Sequence, residues 1–191
     1  MEIEARVKID DIDNLKEKLS NLGATFLKKR KEIDEYFSLK NRDFWSTLEC
    51  LRIRQLPETN DAILTYKPST TEEMKKKEMF YKEELEVEVN AALMRKILIA
   101  LECIPLITVE KEREYWEIDN KKIMIDKVKD LGNFMEVEVN HPEKEIDESR
   151  EIIFKFFKDL GFDLDRLTSE PYRCMLRKVR QWNSAKNVEL E

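Results

Sequence analysis

Several short stretches of this sequence alternate apolar and charged residues with the two-residue period of a β-strand, and their charged faces are sorted by sign. In "CLRIRQL", Leu51 and Ile53 alternate with Arg52 and Arg54; in "NFMEVEV", Met135, Val137 and Val139 alternate with Glu136 and Glu138. The stretch "EELEVEV" sets Leu85, Val87 and Val89 against Glu84, Glu86 and Glu88, and "MEIEARVKI" sets Ile3, Ala5, Val7 and Ile9 against Glu2, Glu4, Arg6 and Lys8. A sheet with one wet face explains the alternation. It does not explain the sorting, because like charges two residues apart on a strand sit ~7 Å apart and repel unless something of opposite sign lies between them. If the strands form one sheet that closes on itself, every charged face points into a common lumen and helices cover the apolar outside.

The remaining patterns supply the parts. Strands are expected over 2–9, 32–39, 50–56, 62–67, 83–89, 108–118, 121–128 and 133–139. Gly23 and Gly161 follow helical patterns, where glycine is the expected residue just past a helix end. Asn90 is an N-cap for a helix through "AALMRKILIALE" that Pro105 prevents from continuing, and a last helix follows Ser169, with Pro171 in its first turn, through Trp182. The stretch "KPSTTEEMKKKEMFYK" has no period and reads as a mobile loop between strands. The expected fold is α+β: an eight-stranded antiparallel barrel with a charged lumen and helices packed outside. A single domain over 1–182 and a C-terminal tail over 183–191 are expected.

Composition narrows the function. With 41 acids against 35 bases the net charge is −6, which argues against a general nucleic-acid binder, so any anion site must be a local concentration of bases. Only three glycines are present, and neither a P-loop nor a dinucleotide fingerprint occurs, so side chains must hold any phosphate. No membrane span or signal pattern is evident, and the chain reads as cytoplasmic with no membrane partner. Cys50, Cys103 and Cys174 lack metal-ligand spacing and read as buried free thiols. His141, the sole histidine, reads as a surface turn residue after a strand.

Glu2, Glu4, Glu136 and Glu138 offer hard oxygen donors, which suit Mg²⁺ or Mn²⁺ rather than zinc. Arg52, Arg54, Lys67, Lys111 and Arg113 offer donors for phosphate oxygens. These residues resemble the signature of the triphosphate tunnel metalloenzymes, or CYTH superfamily, which includes class IV adenylyl cyclases and thiamine triphosphatases. The opening Glu-x-Glu-x-Lys motif reads Glu2-Ile3-Glu4-Ala5-Arg6, with Lys8 two places on. "DEYF", "LRIR", "LTYKP", "YKEELEVEV", "TVEKEREYW", "IMIDKVKDLGNFMEVEV" and "EPYRCML" follow in order. Where class IV cyclases carry serine-tyrosine near the C-terminus, this chain has Pro171-Tyr172.

The resemblance implies an eight-stranded tunnel that holds a triphosphate between basic side chains. Divalent metal would sit on Glu2, Glu4, Glu136 and Glu138; Arg6, Lys8, Arg52, Arg54, Lys67, Lys111 and Arg113 would bind the substrate. Glu84 and Glu86 would be further metal candidates, with Asp126, Glu4, Glu136 and Glu138 serving the catalytic chemistry. Asp126, Glu84 and Glu86 read equally well as internal salt-bridge partners. The implied function is divalent-metal-dependent hydrolysis of inorganic triphosphate, ATP or thiamine triphosphate. The alternatives are a class IV adenylyl cyclase that makes cyclic AMP and pyrophosphate, or a non-catalytic polyphosphate- or nucleotide-binding module. Quaternary state, a homodimer included, is left open.

Overall fold

The computed structural model describes residues 2–69, 80–140 and 146–188, except for the side chains at 2, 80–82, 140, 146–147 and 183–188. The elements run β1 (Glu2–Ile9), α1 (Ile12–Asn21), β2 (Thr25–Ser38), β3 (Cys50–Leu56), β4 (Asp61–Lys67), β5 (Phe80–Lys82) and β6 (Leu85–Glu88). They continue through α2 (Ala91–Ala100), β7 (Ile104–Ile118), β8 (Lys121–Val128), β9 (Gly132–Asn140), α3 (Ile146–Asp159), β10 (Leu167–Thr168) and α4 (Tyr172–Val188). His141 and residues 70–79 of the expected loop lie outside the described residues.

All ladders are antiparallel, and the strand order is β10-β1-β9-β8-β7-β2-β3-β4-β6, with β5 also pairing β1. The sheet curls far enough for one segment to span its seam: β5 lies against β1 and β6 lies against β4, with only Glu83 and Glu84 between them. No ladder joins β1 directly to β4 among the described residues. The two strands the pattern does not predict, β5 and β10, are three and two residues long, too short to show a period. β2 begins at Thr25 rather than at Glu32, because the bases of Lys28–Lys31 mask its alternation. β7 begins at Ile104 and takes in Pro105, which sits near the strand's start, where proline is tolerated.

The helix ends follow the sequence. Asp11 and Asn90 accept N-cap hydrogen bonds from the backbone N–H groups of Asn14 and Leu93, at 3.0 and 2.9 Å. Gly23 and Gly161 take φ of +87° and +83° and close helix ends, a conformation in which a Cβ is strained. α4 runs past Trp182 to Val188, so the stretch expected as tail begins as helix. Among the described residues no helix is long and apolar enough to cross a membrane.

Three apolar clusters build the molecule. α1 and α3 cover the outward residues of β1, β8 and β9, with Leu19, Ile153 and Phe157 against Ile3, Val7, Ile123, Met135 and Val137. Leu98 of α2 covers Phe37, Ile53 and Ala62 on the outward face of β2, β3 and β4. The third cluster departs from the expectation that all helices lie outside. Tyr172 and Leu176 of α4 pack against Tyr36, Cys50, Ile107, Val109, Val128 and Phe134. These residues share strand parity with the charged lumen residues, so α4 fills one end of the lumen with an apolar plug.

Candidate active site

The part of the lumen not filled by α4 is a cavity of about 250 Å³. Its basic lining comes from Arg6 on β1, Arg52 and Arg54 on β3, Lys67 on β4, and Lys111 and Arg113 on β7. Its acidic lining comes from Glu4 on β1, Glu84 and Glu86 at the seam, and Glu136 and Glu138 on β9. The antiparallel register sets Glu4 opposite Glu138 and Arg6 opposite Glu136, which gathers these four charges.

The bases are already held by acids. The Arg6 Nη2 lies 2.7 Å from Glu4 Oε1 and 2.8 Å from Glu136 Oε2. Arg54 donates twice to Asp34, at 2.7 and 2.9 Å, and the Lys111 Nζ lies 2.9 Å from Glu32 and 3.0 Å from Asp34. Glu84 bridges Arg52 and Lys67, at 3.1 and 2.9 Å. Arg113 donates two 2.6 Å hydrogen bonds to Asp126, which also accepts from the Tyr172 hydroxyl at 2.8 Å.

Of its two expected readings, Asp126 has the geometry of the internal salt-bridge partner: it is fully buried behind Arg113, outside the cavity lining, with both oxygens engaged. Lys8, expected among the substrate-binding bases, also lies outside the cavity lining. It pairs with Phe134 in the register, and at that level Phe134 and Tyr172 fill the lumen; the exposed Lys8 side chain lies beside Gly132. The Glu2 side chain lies outside the described residues. Sequence reasoning missed Glu32 and Asp34, both fully buried beneath the bases, although the strand parity of Glu32, Asp34 and Tyr36 carried the signal. It also missed Tyr115, Lys122 and Arg173, which line the cavity.

The electrostatics follow from this packing. Against the cost of burial, Arg54 and Lys111 hold the Asp34 carboxyl well below its ordinary range, and Lys111 and Arg54 lower that of Glu32. Against the same cost, Arg6 and Arg113 hold Glu136 down at about 2. Glu4 shifts the other way, raised by burial and by the charge of Glu136. The three lowered groups contribute stability that is complete above their ordinary values, 4.5 for the glutamates and 3.8 for Asp34, and that is lost as pH falls through the folded values. Glu4 opposes them singly, because a raised carboxyl costs stability above its ordinary value. The urea midpoint is expected to hold between about pH 8 and 5 and to fall steeply below about pH 4. A midpoint unchanged to about pH 2.5 would contradict the buried ion-pair network.

Glu4, Glu136 and Glu138 form an all-oxygen donor set on two paired strands. The upward shift of Glu4 next to Glu136 marks a place where a cation relieves repulsion between carboxylates. Here the Arg6 guanidinium bridges Glu4 and Glu136, and among the described residues no three such groups converge as a ready metal site. The donor chemistry fits a hard divalent cation once Arg6 turns to another anion.

Comparison with known proteins agrees with this arrangement. A protein of Methanocaldococcus jannaschii named "Putative adenylate cyclase" is 33% identical over 178 residues, which span 90% of this chain and 96% of that protein. The PH1819 protein of Pyrococcus horikoshii superposes with a TM-score of 0.79 at 30% identity, covering 93% of this chain and 99% of that one. A Hippeastrum adenylyl-cyclase-like protein, described as having a dominant triphosphatase activity, shares the fold with a TM-score of 0.66 at 16% identity, covering 93% and 96%. The CYTH domain family model matches residues 1–172, which takes in every strand of the curled sheet and every charged lining residue except Arg173, and the chain belongs to that family.

Proposed function

We propose that this protein hydrolyses triphosphate compounds, inorganic triphosphate foremost, with Mg²⁺ or Mn²⁺. The observation that carries the reading is the charge balance of the cavity. Among the described residues nine bases (Arg6, Arg30, Arg52, Arg54, Lys67, Lys111, Arg113, Lys122 and Arg173) meet eight acids (Glu4, Glu32, Asp34, Glu84, Glu86, Asp126, Glu136 and Glu138) in its lining and directly behind it. A site for a polyanion alone needs only the bases. A nearly balanced site takes up a triphosphate together with cations, and that is the composition of a metal-triphosphate complex.

Arg52, Arg54, Lys111 and Arg113 would trade carboxylate partners for phosphate oxygens, with Arg113 oriented from behind by Asp126. Arg6 would do the same and release Glu4 and Glu136. A divalent ion held by Glu4, Glu136 and Glu138, with Glu2, Glu84 and Glu86 as further acids nearby in sequence or space, would supply charge neutralisation at the reacting phosphoryl group. Water attacks the terminal phosphorus, its bond to the bridging oxygen breaks, pyrophosphate leaves, and the proton of the water passes to a carboxylate of the same wall.

The name of the Methanocaldococcus relative favours a second reading, cyclisation of ATP to cyclic AMP. Cyclisation requires the ribose to be held with its 3′-oxygen in line with the α-phosphorus, a stricter demand than hydrolysis, and the lining among the described residues is dominated by charged groups suited to phosphate and metal. Purified protein incubated with Mg²⁺ or Mn²⁺ is expected to cut inorganic triphosphate to phosphate and pyrophosphate at least as fast as it consumes ATP. Chromatography that finds ATP converted mainly to cyclic AMP, with inorganic triphosphate intact, selects the second reading.

A further inference from the structure

Among the described residues, seven of the eight bases lining the cavity have an acidic partner and Arg173 has none. It is 1% exposed, its Nη1 is buried without a hydrogen-bond partner, and among the described residues it makes no ion pair. Its guanidinium instead lies 5.6 Å from the centre of the Tyr36 ring and 5.8 Å from that of Trp45. Aromatic rings attract a cation but do not replace the hydrogen bonds it loses on leaving water, so a guanidinium buried in this way is costly until an anion reaches it.

Arg173 also stands in the first turn of α4, where Pro171, Tyr172 and Arg173 line the cavity. The earliest bonds of that turn run from the Cys174 and Met175 N–H groups to the Pro171 carbonyl. The N–H groups of Tyr172 and Arg173 therefore precede the helix's own ladder, and the positive end of the helix faces the cavity. Beyond them, among the described residues, Leu176, Val128, Val109 and Phe134 pack into the apolar cluster that closes this end of the lumen.

On the reading of the cavity as a triphosphate site, we propose that Arg173 and the first turn of α4 form an end-stop that binds the terminal phosphoryl group. The group that meets Arg173 must be the end of the ligand, because the apolar plug leaves no room for an ester substituent. A nucleoside or thiamine group would then leave by the opposite mouth, where the Lys122 side chain is 50% exposed beside Glu138. The end-stop makes a free terminal phosphoryl a requirement for substrates of this enzyme.

Isothermal titration with inorganic triphosphate and Mg²⁺, paired with thermal melting, tests the assignment. Arg173→Met is expected to melt no lower than the parent protein without ligand, since it removes an uncompensated buried charge, yet to bind inorganic triphosphate roughly 10- to 100-fold more weakly. Arg173→Lys is expected to recover part of the loss. A variant that melts well below the parent but binds inorganic triphosphate normally would make Arg173 a structural residue and overturn the proposal. Independently, diadenosine triphosphate, whose chain has no free terminal phosphoryl, is expected not to displace inorganic triphosphate from the parent protein where ATP does. Displacement equal to that by ATP would also overturn it. If the parent protein fails to bind inorganic triphosphate, the triphosphate reading falls and the end-stop falls with it. If the parent binds, Arg52→Ala weakens binding and Arg173→Met does not, only the end-stop falls.

Discussion

Glu136→Gln is expected to lower the turnover of inorganic triphosphate by roughly 100-fold or more while leaving its affinity in the absence of metal unchanged or increased. Glu136 is buried between Arg6, 2.8 Å from one oxygen, and Arg113, 3.3 Å from the other. It is fully ionised at neutral pH, with its carboxyl held at about 2. Glutamine keeps the shape and removes the charge. Arg6 and Arg113 then lose a competing counter-ion and grip phosphate no less well, whereas a divalent ion loses an anionic oxygen ligand. Measuring kcat with Mg²⁺ and Kd with chelator separates the two effects. A kcat within about threefold of the parent would remove Glu136 from the catalytic reading.

Asp34→Asn is expected to be the most damaging single change to stability in the lumen. Asp34 is buried beneath the base cluster and faces Arg54, Lys111 and, at 3.7 Å, Arg52. Among the described residues, removing its charge leaves Arg52, Arg54 and Lys111 with Glu32, Glu84 and, at 3.8 Å from Arg52, Glu86. Breaking a buried ion pair from one side costs about 3–5 kcal/mol, which for a chain of this size is a drop in Tm of roughly 6–20 °C. Inorganic triphosphate added with chelator is expected to raise the Tm of the variant more than that of the parent, because it supplies the missing anion. A variant that melts within about 2 °C of the parent would show that the remaining carboxylates balance the cluster without Asp34.

The legible part of this molecule was whatever two-residue alternation or a glycine stop could encode. The inward faces of β3 and β9 followed from "LRIR" and "MEVEV", and the ends of α1 and α3 from Gly23 and Gly161. Thr25–Lys31 of β2 was not legible, because four successive bases carry no alternation. Lys8 shares parity with Glu4 and Arg6, and parity says nothing of depth: at its level of the lumen Phe134 and Tyr172 occupy the space. The plug was hidden for a related reason. Val109, Val128 and Phe134 face inward at the same parity as the charges, and only the placement of Tyr172 and Leu176 against them reveals that the lumen changes from polar to apolar along its length. Arg173 could not be told from other helix bases until it was seen to be buried without an ion pair among the described residues.

The position of β1 in the sheet also has a consequence for how the chain comes to be folded as it is made. Its ladder partners are β9, β5 and β10, with Arg6 opposite Glu136 on one side and Thr168 on the other. β1 leaves the ribosome before any of them, so it finds its main neighbour only after Gly132–Asn140 has been synthesised, and its last only after Leu167 and Thr168. Until then Ile3, Ala5, Val7 and Ile9 lack the β9 and α3 residues that bury them. Long-range closure of this kind slows folding and prolongs the exposure of an unpaired apolar strand. The alternating charges of Glu2, Glu4, Arg6 and Lys8 make the waiting strand a poor template for self-association, so Glu4 and Arg6, which later line the cavity, also keep the nascent chain apart from its copies.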